Sequence, residues 1–429
     1  MAAESGGPAG TLLVIGGRID TVHKAVDLGL DVVLVQHRDQ FVPESAQLAR
    51  AVIIADYTDW DTVEPLLVAA HQAYGFTAAV SLTEPGLGPA TRVNDLLGLR
   101  GNSYEVSRLL KDKLAMRKHL AALGGLIAAA SVAAEEATDE KSLLVFGQQH
   151  GYPLIVKPSN VTASLGVHRV DGPEDILGVW RQVEELRERT DLQWGGFFDV
   201  GPHIVEEYID GPEYSIEAFS FDGRHVVVAV TEKLTSGFVE LGHAQPARID
   251  ERAEAVLIGC TTMFLDAIGQ THGASHTEIK LTVNGPKIIE GHNRIGGDRI
   301  VDLLEAAYGV DFELLTVGVP FGLTEPLAQR PPLVRAAATR FLLGEPGEVI
   351  EVAGADAVRE HPDVLALDVT VEPGSVIRPG SNWDRCGQVI AVGVDTDSVL
   401  SLCAELTERI SIRTKPPADG DRIAKGARE

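Results

Sequence analysis

Two glutamates flank a turn late in the chain. Glu278 lies in the alternating segment 276–281, and Glu290 ends the segment 287–290 after the dipeptide Asn284-Gly285. An Asn-Gly pair between such segments favours a β-hairpin, in which the two carboxylates lie opposite each other. Facing carboxylates repel unless a cation lies between them, and Mg²⁺ prefers such oxygen ligands. The hairpin therefore predicts a metal site that bridges phosphate oxygens; a solvated hairpin with a salt bridge is the simpler alternative.

A short polar run follows the second glutamate. It reads His292-Asn293-Arg294 and continues into the turn Gly296-Gly297-Asp298. A guanidinium in this place can stabilise charge on a transferring phosphoryl group, or hold a carboxylate with two parallel hydrogen bonds. Arg294 is therefore a candidate catalytic residue beside the pair of glutamates.

A short apolar strand delivers a lysine to a fixed place. Lys157 directly follows the segment 154–156, and residues 159–166 after it are mostly small and polar. Small residues allow backbone N–H groups to approach an anion closely, so the lysine and this loop, with Ser164, form a candidate phosphate cradle. A surface hairpin with a solvated lysine explains the same pattern equally well.

A charged strand end in the middle of the chain has groups that could hold a nucleoside. Segment 205–215 contains Glu206, Glu207, Ile209 and Glu213. A strand edge offers a carbonyl and an N–H group to an adenine, and a carboxylate a few residues later can accept hydrogen bonds from ribose hydroxyls. An ordinary charged strand and turn is the alternative for this segment taken alone.

The elements that position these residues begin with an alternation of strands and helices. Apolar strands are predicted at residues 11–15, 31–35, 51–54 and 78–82, with helix-length segments between them. This order predicts a parallel sheet covered on both faces, whose ligands bind at the carboxyl ends of the strands. Glu84 follows the fourth strand and lies at such an end.

Two glycines follow the first strand. Gly16-Gly17 is only half of a dinucleotide-binding fingerprint, so a tight strand–helix turn explains it better. An NAD-dependent oxidoreductase is therefore a weak alternative.

The rest of the chain has a different pattern. A helix is predicted at residues 104–123 and another at 252–268. Antiparallel strands are predicted around them, at residues 154–156, 167–170, 204–208, 214–221, 225–232, 276–283 and 287–290. After Pro320, strands at 336–343, 348–352, 364–371 and 389–394 with a helix at 397–410 predict a small α+β domain. The expected fold class is α/β followed by α+β.

Composition restricts the classes of function. The chain has 429 residues and a net charge of −25, which argues against a nucleic-acid partner or an anionic membrane surface. It contains no run of about eighteen apolar residues that would predict a transmembrane helix, and residues 1–17 lack the basic start of a signal peptide. The three scattered cysteines indicate neither a disulfide framework nor a metal site and fit a cytoplasmic location.

The ordered set of these residues resembles the ATP-grasp superfamily. The set is Lys113, Lys157 with its loop, Glu206 to Glu213, Lys233, Glu278, Glu290 and Arg294. More narrowly, it is similar to the L-amino-acid ligase branch, which includes bacterial dipeptide synthetases. The resemblance covers nearly the whole chain. It implies a pre-ATP-grasp α/β domain at 1–110, an ATP-grasp domain at 111–320 with a lid lobe near 125–205, and a C-terminal α+β domain at 321–414. A disordered tail is expected at 415–429.

The resemblance implies which residues hold ATP. Three residues would contact the phosphates: Lys113, Lys157 and Ser164. Four others would hold the adenosine: Glu206, Glu207, Ile209 and Glu213. Glu278 and Glu290 would bind Mg²⁺, with Mn²⁺ as a further option.

The resemblance also implies a substrate side. Segment 233–246 is similar to the substrate loop of the branch, and it would place Glu240 and His243 near an amino-acid substrate. An acid and an imidazole suit an ammonium group and could help to remove its proton. Lys157, Lys233 and Arg294 would act in catalysis. The substrate contacts would include Glu84, Arg294 and Gly297.

The metal hairpin departs from the family pattern. Many relatives carry Glu-x-Asn-x-Arg, whereas this chain has Glu290-Gly291-His292-Asn293-Arg294. Either His292 replaces the asparagine ligand, or Asn293 reaches the metal through a change of register. Imidazole is a poorer Mg²⁺ ligand than an amide oxygen. The loop 161–166 is also poorer in glycine than the same loop in most relatives.

The resemblance implies an ATP-dependent carboxylate–amine ligase that works through an acyl-phosphate and releases ADP and phosphate. Its partners would be small carboxylate and amine substrates such as amino acids. A homodimer is an expected assembly, because relatives often form dimers. The alternatives are an ATP-grasp carboxylase or formyl-phosphate-type enzyme of purine or biotin metabolism, and a nucleotide-binding module without catalysis.

Overall fold

The computed structural model describes residues 9–188, 200–377, 382 and 385–415. Within these ranges the strands form one eight-stranded, two four-stranded and one three-stranded sheet. No helix in the described part of the chain is both long enough and apolar enough to cross a bilayer. Residues 416–429, which make up nearly all of the predicted disordered tail, lie outside the described residues; Lys415 ends a strand.

The N-terminal region is the parallel sheet that the sequence predicts. Its strands are β1 (Thr11–Ile15), β2 (Asp31–Gln36), β3 (Ala51–Ile54) and β4 (Ala78–Val80), in the order β3-β2-β1-β4. The helices of this region are α1 (Ile19–Asp27), α2 (Ser45–Leu48), α3 (Trp60–Tyr74) and α4 (Glu84–Leu97). All five residues of β1 are buried, as expected for a central strand covered on both faces. Glu84 is the first residue of α4, a helix that the sequence analysis did not predict.

The single helix predicted at residues 104–123 is wrong, because the structure contains two. They are α5 (Tyr104–Lys111) and α6 (Lys113–Leu123), and the short helix α7 (Gly125–Ala129) follows. Asp112 separates them in an extended conformation, and its carboxylate accepts hydrogen bonds from the N–H groups of Leu114 and Ala115. An aspartate that caps a helix in this way starts a new one. Lys113 thereby becomes the first residue of α6.

The predicted lid lobe contains a four-stranded antiparallel sheet with two helices. In chain order the elements are β5 (Ala134–Ala137), α8 (Glu140–His150), β6 (Leu154–Pro158), β7 (His168–Val170), α9 (Ile176–Glu188) and β8 (His203–Glu207). The strand order is β5-β8-β6-β7. Side chains of both helices, among them Phe146 and Trp180, pack on the buried residues of β6 and β8. This small core holds Lys157 and Glu206 on neighbouring strands.

The central sheet carries the predicted metal hairpin at its edge. It begins with β9 (Glu213–Phe221), β10 (Arg224–Ser236), β11 (Val239–Gln245), β12 (Gly273–Thr282) and β13 (Gly285–His292), and α10 (Glu251–Ile268) joins β11 to β12. The order β13-β12-β9-β10-β11 is antiparallel throughout. Strand β11 lies within segment 233–246, which was expected to be a substrate loop. This strand pairs with β10 on one side and with the C-terminal region on the other.

The C-terminal region continues the same sheet. After α11 (Ile300–Tyr308) and α12 (Phe312–Gly318), strands β14 (Ala336–Leu342), β18 (Gly387–Gly393) and β16 (Val364–Val369) extend the order beyond β11. A separate small sheet contains β15 (Gly347–Ala353), β17 (Val376–Ile377) and β19 (Ser411–Lys415), and the remaining helices are α13 (Ala355–Arg359) and α14 (Thr396–Glu408). Pairing of His243 with Thr339 joins β11 to β14, so C-terminal residues can reach the functional site.

Two buried cores hold the central sheet in place. Residues of α11 and α12 pack on one face, whereas α5, α6 and α10 pack on the other. Phe264 of α10 is fully buried, and its ring lies so close to Gly291 that a Cβ atom there would be 2.4 Å from it. Gly291 follows Glu290 directly, so this ring supports the metal hairpin from behind.

We predict that Phe264→Ala destabilises the protein by about 3–5 kcal/mol, because it leaves a cavity beneath the β12–β13 hairpin. Leu126→Ala is the control, since Leu126 is 75% exposed and its removal should change stability by less than about 0.5 kcal/mol. Urea unfolding followed by circular dichroism and fluorescence measures both. Equal unfolding midpoints for Phe264→Ala and the wild type would contradict this packing.

Candidate active site

A cleft of about 890 Å³, open to solvent, lies between the lid-lobe sheet and the central sheet. Its lining contains most of the residues that the sequence analysis selected: Lys113, Lys157, Ser164, Glu206, Ile209, Glu213, Lys233, Glu240, Glu278 and Glu290. These residues come from segments as far apart in sequence as α6 and β13. The fold therefore gathers scattered charged residues around one opening.

Glu278 and Glu290 are direct partners across the β12–β13 hairpin. A lysine approaches each carboxylate from a different element. Lys233 of β10 lies 2.6 Å from Glu278, and Lys113 of α6 lies 2.9 Å from Glu290. The two acids thus face each other as the hairpin pattern predicts, and each has a cation beside it.

The surroundings keep both carboxylates ionised. Burial raises the pKa of Glu278, and so does the nearby Glu290, but Lys233 and His276 together outweigh them and lower this pKa to about 2. Burial likewise opposes ionisation of Glu290, yet Lys113 and His292 hold its pKa well below the usual range. Both groups are therefore anionic at neutral pH, as metal ligands must be.

The residues expected to complete the metal site bind elsewhere. The two ring nitrogens of His292 contact carboxylates, Nδ1 with Glu84 at 3.0 Å and Nε2 with Glu290 at 3.1 Å. Asn293 donates from Nδ2 to the Ser107 hydroxyl at 2.9 Å and lines a different cavity. The alternative in which Asn293 reaches the metal is therefore corrected, and His292 orients Glu290.

The carboxylates of Glu278 and Glu290 fit a hard divalent cation. They supply oxygen atoms alone, their mutual repulsion favours a cation between them, and they line the cleft together. Lys113 and Lys157 at the same place would then balance the phosphates that accompany such a cation. The residues present are therefore suited to a metal–nucleotide pair.

Lys157 forms an ion pair inside the lid lobe. Its Nζ lies 2.5 Å from Glu206, whose other oxygen accepts from Arg117 at 3.1 Å. Both cations outweigh burial and lower the pKa of Glu206, so this carboxylate is shared between two positive groups. Burial, with repulsion from Arg117 and Lys113, lowers the pKa of Lys157. An added phosphate would supply the negative charge that this cluster lacks.

This ion pair engages the carboxylate of Glu206, which the sequence analysis expected at the adenosine. Its side chain is 3% exposed, is held by Lys157 and Arg117, and lines the cleft. Its position fixes the lysine.

The loop after Lys157 has an unusual backbone. Ala163 and Ser164 both have left-handed conformations, with φ of 60° and 56°, and Gly166 follows with φ of 69°. Such values are uncommon for residues with a Cβ atom and are often found where a loop contacts a ligand. Lys113 donates to the Val161 carbonyl at 2.8 Å and thereby anchors the loop to α6. Ser164 lines the cleft as expected of a phosphate-binding loop.

The end of β8 forms the wall expected to meet an adenine. Glu207 accepts from the Ala133 N–H with its side chain, so its carboxylate is used structurally. Ile209 lines the cleft, and its carbonyl accepts from Lys280 at 3.3 Å. Glu213 lies near the same wall with Lys233 at 2.8 Å. Backbone groups and Glu213 remain as the nucleoside-facing part of the predicted set.

Lys233 is surrounded by three carboxylates. Its Nζ lies 2.8 Å from Glu213, 2.7 Å from Glu240 and 2.6 Å from Glu278. Burial acts to lower its pKa, but the three acids raise this pKa well above the usual value. Lys233 is therefore a permanent cation that holds the acids together and cannot accept a proton.

Glu84 and Arg294 meet at the edge of the N-terminal sheet. Arg294 donates from Nε to Glu84 at 2.7 Å, and His292 contacts the same oxygen. Burial opposes ionisation of Glu84, yet His292 and Arg294 hold its pKa below the usual range. Close by in sequence, Gly297 has open space where a Cβ atom would stand. This anion–cation pair could exchange partners with the ammonium and carboxylate of an amino acid.

Glu240 and His243 belong to a second charge network. His243 contacts Asp298 at 3.3 Å, and Arg385 binds Asp298 through two nitrogens at 2.5 and 2.9 Å. Arg385 also reaches Glu240 at 3.4 Å and stacks over Phe341. Asp298 has a left-handed backbone with φ of 55°. The C-terminal region thus contributes an arginine to the substrate side of the cleft.

Sequence reasoning missed four residues of this site. Arg117 is a buried arginine that joins Glu206 to the carbonyls of Ile288 and Ile289. Burial opposes protonation of His276, but Glu217 and Glu278 raise its pKa to about 10, so its ring is cationic. The others are Glu217 and Arg385. The alternation of β9 could have placed Glu217 on the face of Glu213, whereas no local pattern marks Arg117 or Arg385.

Three known protein families match successive regions of the chain. Residues 22–101 match the ATP-grasp N-terminal domain, and residues 150–302 match the ATP-grasp domain. Residues 340–415 match the family described as L-amino acid ligase C-terminal domain 2. The three matches follow one another in the order of the regions described above.

Individual relatives are ligases. The chain is 25% identical over 344 residues to the alanine–anticapsin ligase of Bacillus subtilis strain 168, which covers 74% of this chain and 71% of that protein. It is 26% identical over 209 residues to carnosine synthase 1 of Gallus gallus, covering 46% of this chain and 22% of that protein. The crystal structure of the L-amino acid ligase from Bacillus licheniformis has a TM-score of 0.78 at 21% identity, covering 95% of this chain and 99% of that chain.

These matches agree with the charged cleft and with the hairpin at its edge. From the order of its matched domains, the chain belongs to the ATP-grasp superfamily, and its C-terminal region matches that of the L-amino-acid ligases.

Proposed function

We propose that this ATP-dependent ligase forms an amide bond between a carboxylate and an amine, with an amino acid as at least one substrate. The observation that carries the proposal is the facing pair of Glu278 and Glu290, with Lys113 beside Glu290 and Lys157 lining the same cleft. Glu84 and Arg294 lie next to the same hairpin and suit the two ends of an amino acid. An acyl-phosphate is the expected intermediate, because it carries the phosphoryl group from the nucleotide side of the site and the carboxylate from the amino-acid side.

In the first step the substrate carboxylate attacks the γ-phosphorus of ATP, the bond from this phosphorus to the bridging oxygen breaks, and ADP is the leaving group. Lys113 and Lys157 bind phosphate oxygens, and the loop with Ala163 and Ser164 covers them. A divalent cation held by Glu278 and Glu290 would supply further positive charge to the phosphates. Arg294 offsets charge on the transferring group, so the site works by positioning and electrostatics.

In the second step an amine attacks the mixed anhydride, and phosphate leaves. The ammonium must lose a proton first, and the acids near it favour its binding. Glu240 is held by Lys233 and Arg385, and His243 by Asp298. Within the described part of the chain, Nδ1 of His243 has no hydrogen-bond partner, so this nitrogen is available for a hydrogen bond. Closure of the lid lobe would exclude water that hydrolyses the anhydride.

The metal, the compartment and the assembly are part of the same proposal. Mg²⁺ is the expected metal because both ligands are carboxylates, and Mn²⁺ has the same preference. The three cysteines are buried free thiols, in keeping with a reducing cytoplasm. A homodimer is the assembly we expect from the family.

The direct test is a screen for ADP and phosphate release over pairs of amino acids, with mass spectrometry of the products. We expect release that requires both a carboxylate and an amine, together with a product of the mass of an amide. Release with bicarbonate or formate alone would instead indicate a carboxylase or formyl-phosphate type of enzyme. Absence of release with every pair would contradict the proposal.

We predict that Glu290→Gln lowers the rate of ADP formation by about 10²-fold or more and raises the Mg²⁺ concentration needed for half-maximal rate. The change removes one negative ligand while it keeps the shape of the side chain. Glu360→Gln is the control, because Glu360 is exposed in the C-terminal region. An unchanged Mg²⁺ requirement in a folded Glu290→Gln protein would remove Glu290 from the metal site.

Arg294→Lys should lower kcat by about 10- to 100-fold while the affinity for ATP stays the same, because lysine keeps the charge but loses the planar fork. Arg409→Lys is the matched control, since Arg409 is exposed and, among the residues that the structure describes, forms its ion pair with the nearby Glu405. Steady-state rate measurements give kcat, and fluorescence titration with a nucleotide analogue gives the affinity for ATP. A loss of ATP affinity with kcat retained would place Arg294 at the nucleotide instead.

A further inference from the structure

A second cavity, with a volume of about 720 Å³ that includes space open to solvent, lies where α4, β9, β12 and α12 meet. Its lining shares no residue with the lining of the nucleotide cleft. Most of its walls are apolar and include Leu82, Leu87, Phe219, Phe221 and Leu315. Binding of a nucleotide and a metal ion in the cleft does not involve this second cavity.

Two asparagines bring polar groups into these apolar walls. Asn94 is 5% exposed and Asn293 is 8% exposed. Neither amide oxygen has a hydrogen-bond partner among the residues that the structure describes. Buried amide groups are normally paired, so an unpaired one in a cavity wall points to a ligand atom that would pair with it.

The interior of the cavity does not suit an ionised group. Arg100 and His272 are the ionisable residues in its lining, and both are engaged at the surface. Arg100 lies 2.6 Å from Asp222, and His272 contacts the same carboxylate at 3.0 Å. A charge placed deeper would lack a counter-ion, which makes its burial costly. The group that enters is therefore uncharged.

Three elements lead from the site of chemistry into this cavity. On α4, the spacing of Glu84, Leu87, Thr91 and Asn94 puts them on one helical face. On β9, Glu217 and Phe219 share a face by strand alternation.

The third element repeats the same arrangement. On β12, alternation puts Ala274 on the face of His276 and Glu278. Each element thus carries a charged group of the site and a wall of the cavity on one face. In sequence, Leu82 and Leu87 of the cavity lining lie on either side of Glu84, and Asn293 lies between His292 and Arg294.

We propose that this cavity binds the uncharged, mainly apolar side chain of one of the two substrates. The charged end of that substrate lies at Glu84 and Arg294, and this assignment rests on the proposed function. Asn94 and Asn293 bind a polar atom at the far end of the side chain, such as an amide or hydroxyl group. The cavity then distinguishes substrates by their side chains, while Glu84 and Arg294 bind the charged groups that all amino acids share.

Two variants change the cavity without touching the charged groups of the site. Ala90→Leu adds three carbon atoms to the cavity wall from α4, and Asn94→Leu removes one unpaired amide. Leu96→Ala is the matched control, because Leu96 lies on the same helix and is 46% exposed. Melting temperatures and titration with ATP establish that each variant is folded and binds nucleotide.

The binding test uses isovaleramide as probe and acetamide, which has the same amide but no branched alkyl group, as its counterpart. In saturation-transfer NMR on the full chain, we expect isovaleramide to bind in the presence of saturating ATP and at least tenfold more tightly than acetamide. Binding should weaken tenfold or more in Ala90→Leu and in Asn94→Leu, and remain in Leu96→Ala. Equal binding of the two probes, or binding that neither cavity variant changes, would overturn the proposal.

The kinetic test compares leucine and glutamine with alanine as substrates. Ala90→Leu should raise the KM for the two larger amino acids by tenfold or more and leave the KM for alanine unchanged. A variant that ligates all three like the wild type would overturn the assignment to the substrate side chain, although the ligase function would stand. If the wild type ligates nothing, the proposed function fails, and the NMR result still decides whether the cavity binds an uncharged group.

Discussion

The repulsion between two largely buried carboxylates is the constraint on which the rest of this site depends. Glu278 and Glu290 are held opposite each other by the register of one hairpin, and buried like charges are costly unless cations compensate them. Lys113 and Lys233 provide that compensation from two other elements. The hairpin, α6 and β10 must therefore assemble together. The acids remain ionised when they do, which prepares the cleft for a divalent cation and a nucleotide.

Arg117 connects the walls of the cleft. Its guanidinium donates to Glu206 of the lid lobe and to the carbonyls of Ile288 and Ile289 in the metal hairpin. Arginine suits this position because its planar group donates in several fixed directions at once and keeps its charge when buried. Lys157, the second partner of Glu206, is thereby positioned relative to the hairpin. Charge-assisted hydrogen bonds thus set the distance between the phosphate-binding side and the metal side.

The cleft and the second cavity divide recognition between charge and shape. Charged residues from three regions line or adjoin the cleft, and Arg385 brings the C-terminal region into this network through Asp298. The cavity beside Glu84 is apolar and carries unpaired amides. A ligase must hold a reactive charged end and distinguish the tail attached to it. The continuous faces of α4, β9 and β12 place these two kinds of surface next to each other.

The sequence by itself determined the features that depend on neighbours along the chain. The Asn284-Gly285 turn and strand alternation predicted that Glu278 faces Glu290, and the alternation of strands and helices predicted the N-terminal parallel sheet. Only the tertiary structure decided the partners of those residues. Glu206 was expected at the adenosine, and in the structure its carboxylate accepts a hydrogen bond from Arg117, which lies 89 positions away. Such contacts depend on how separate elements pack, and packing leaves no periodic signal in the residues that it brings together.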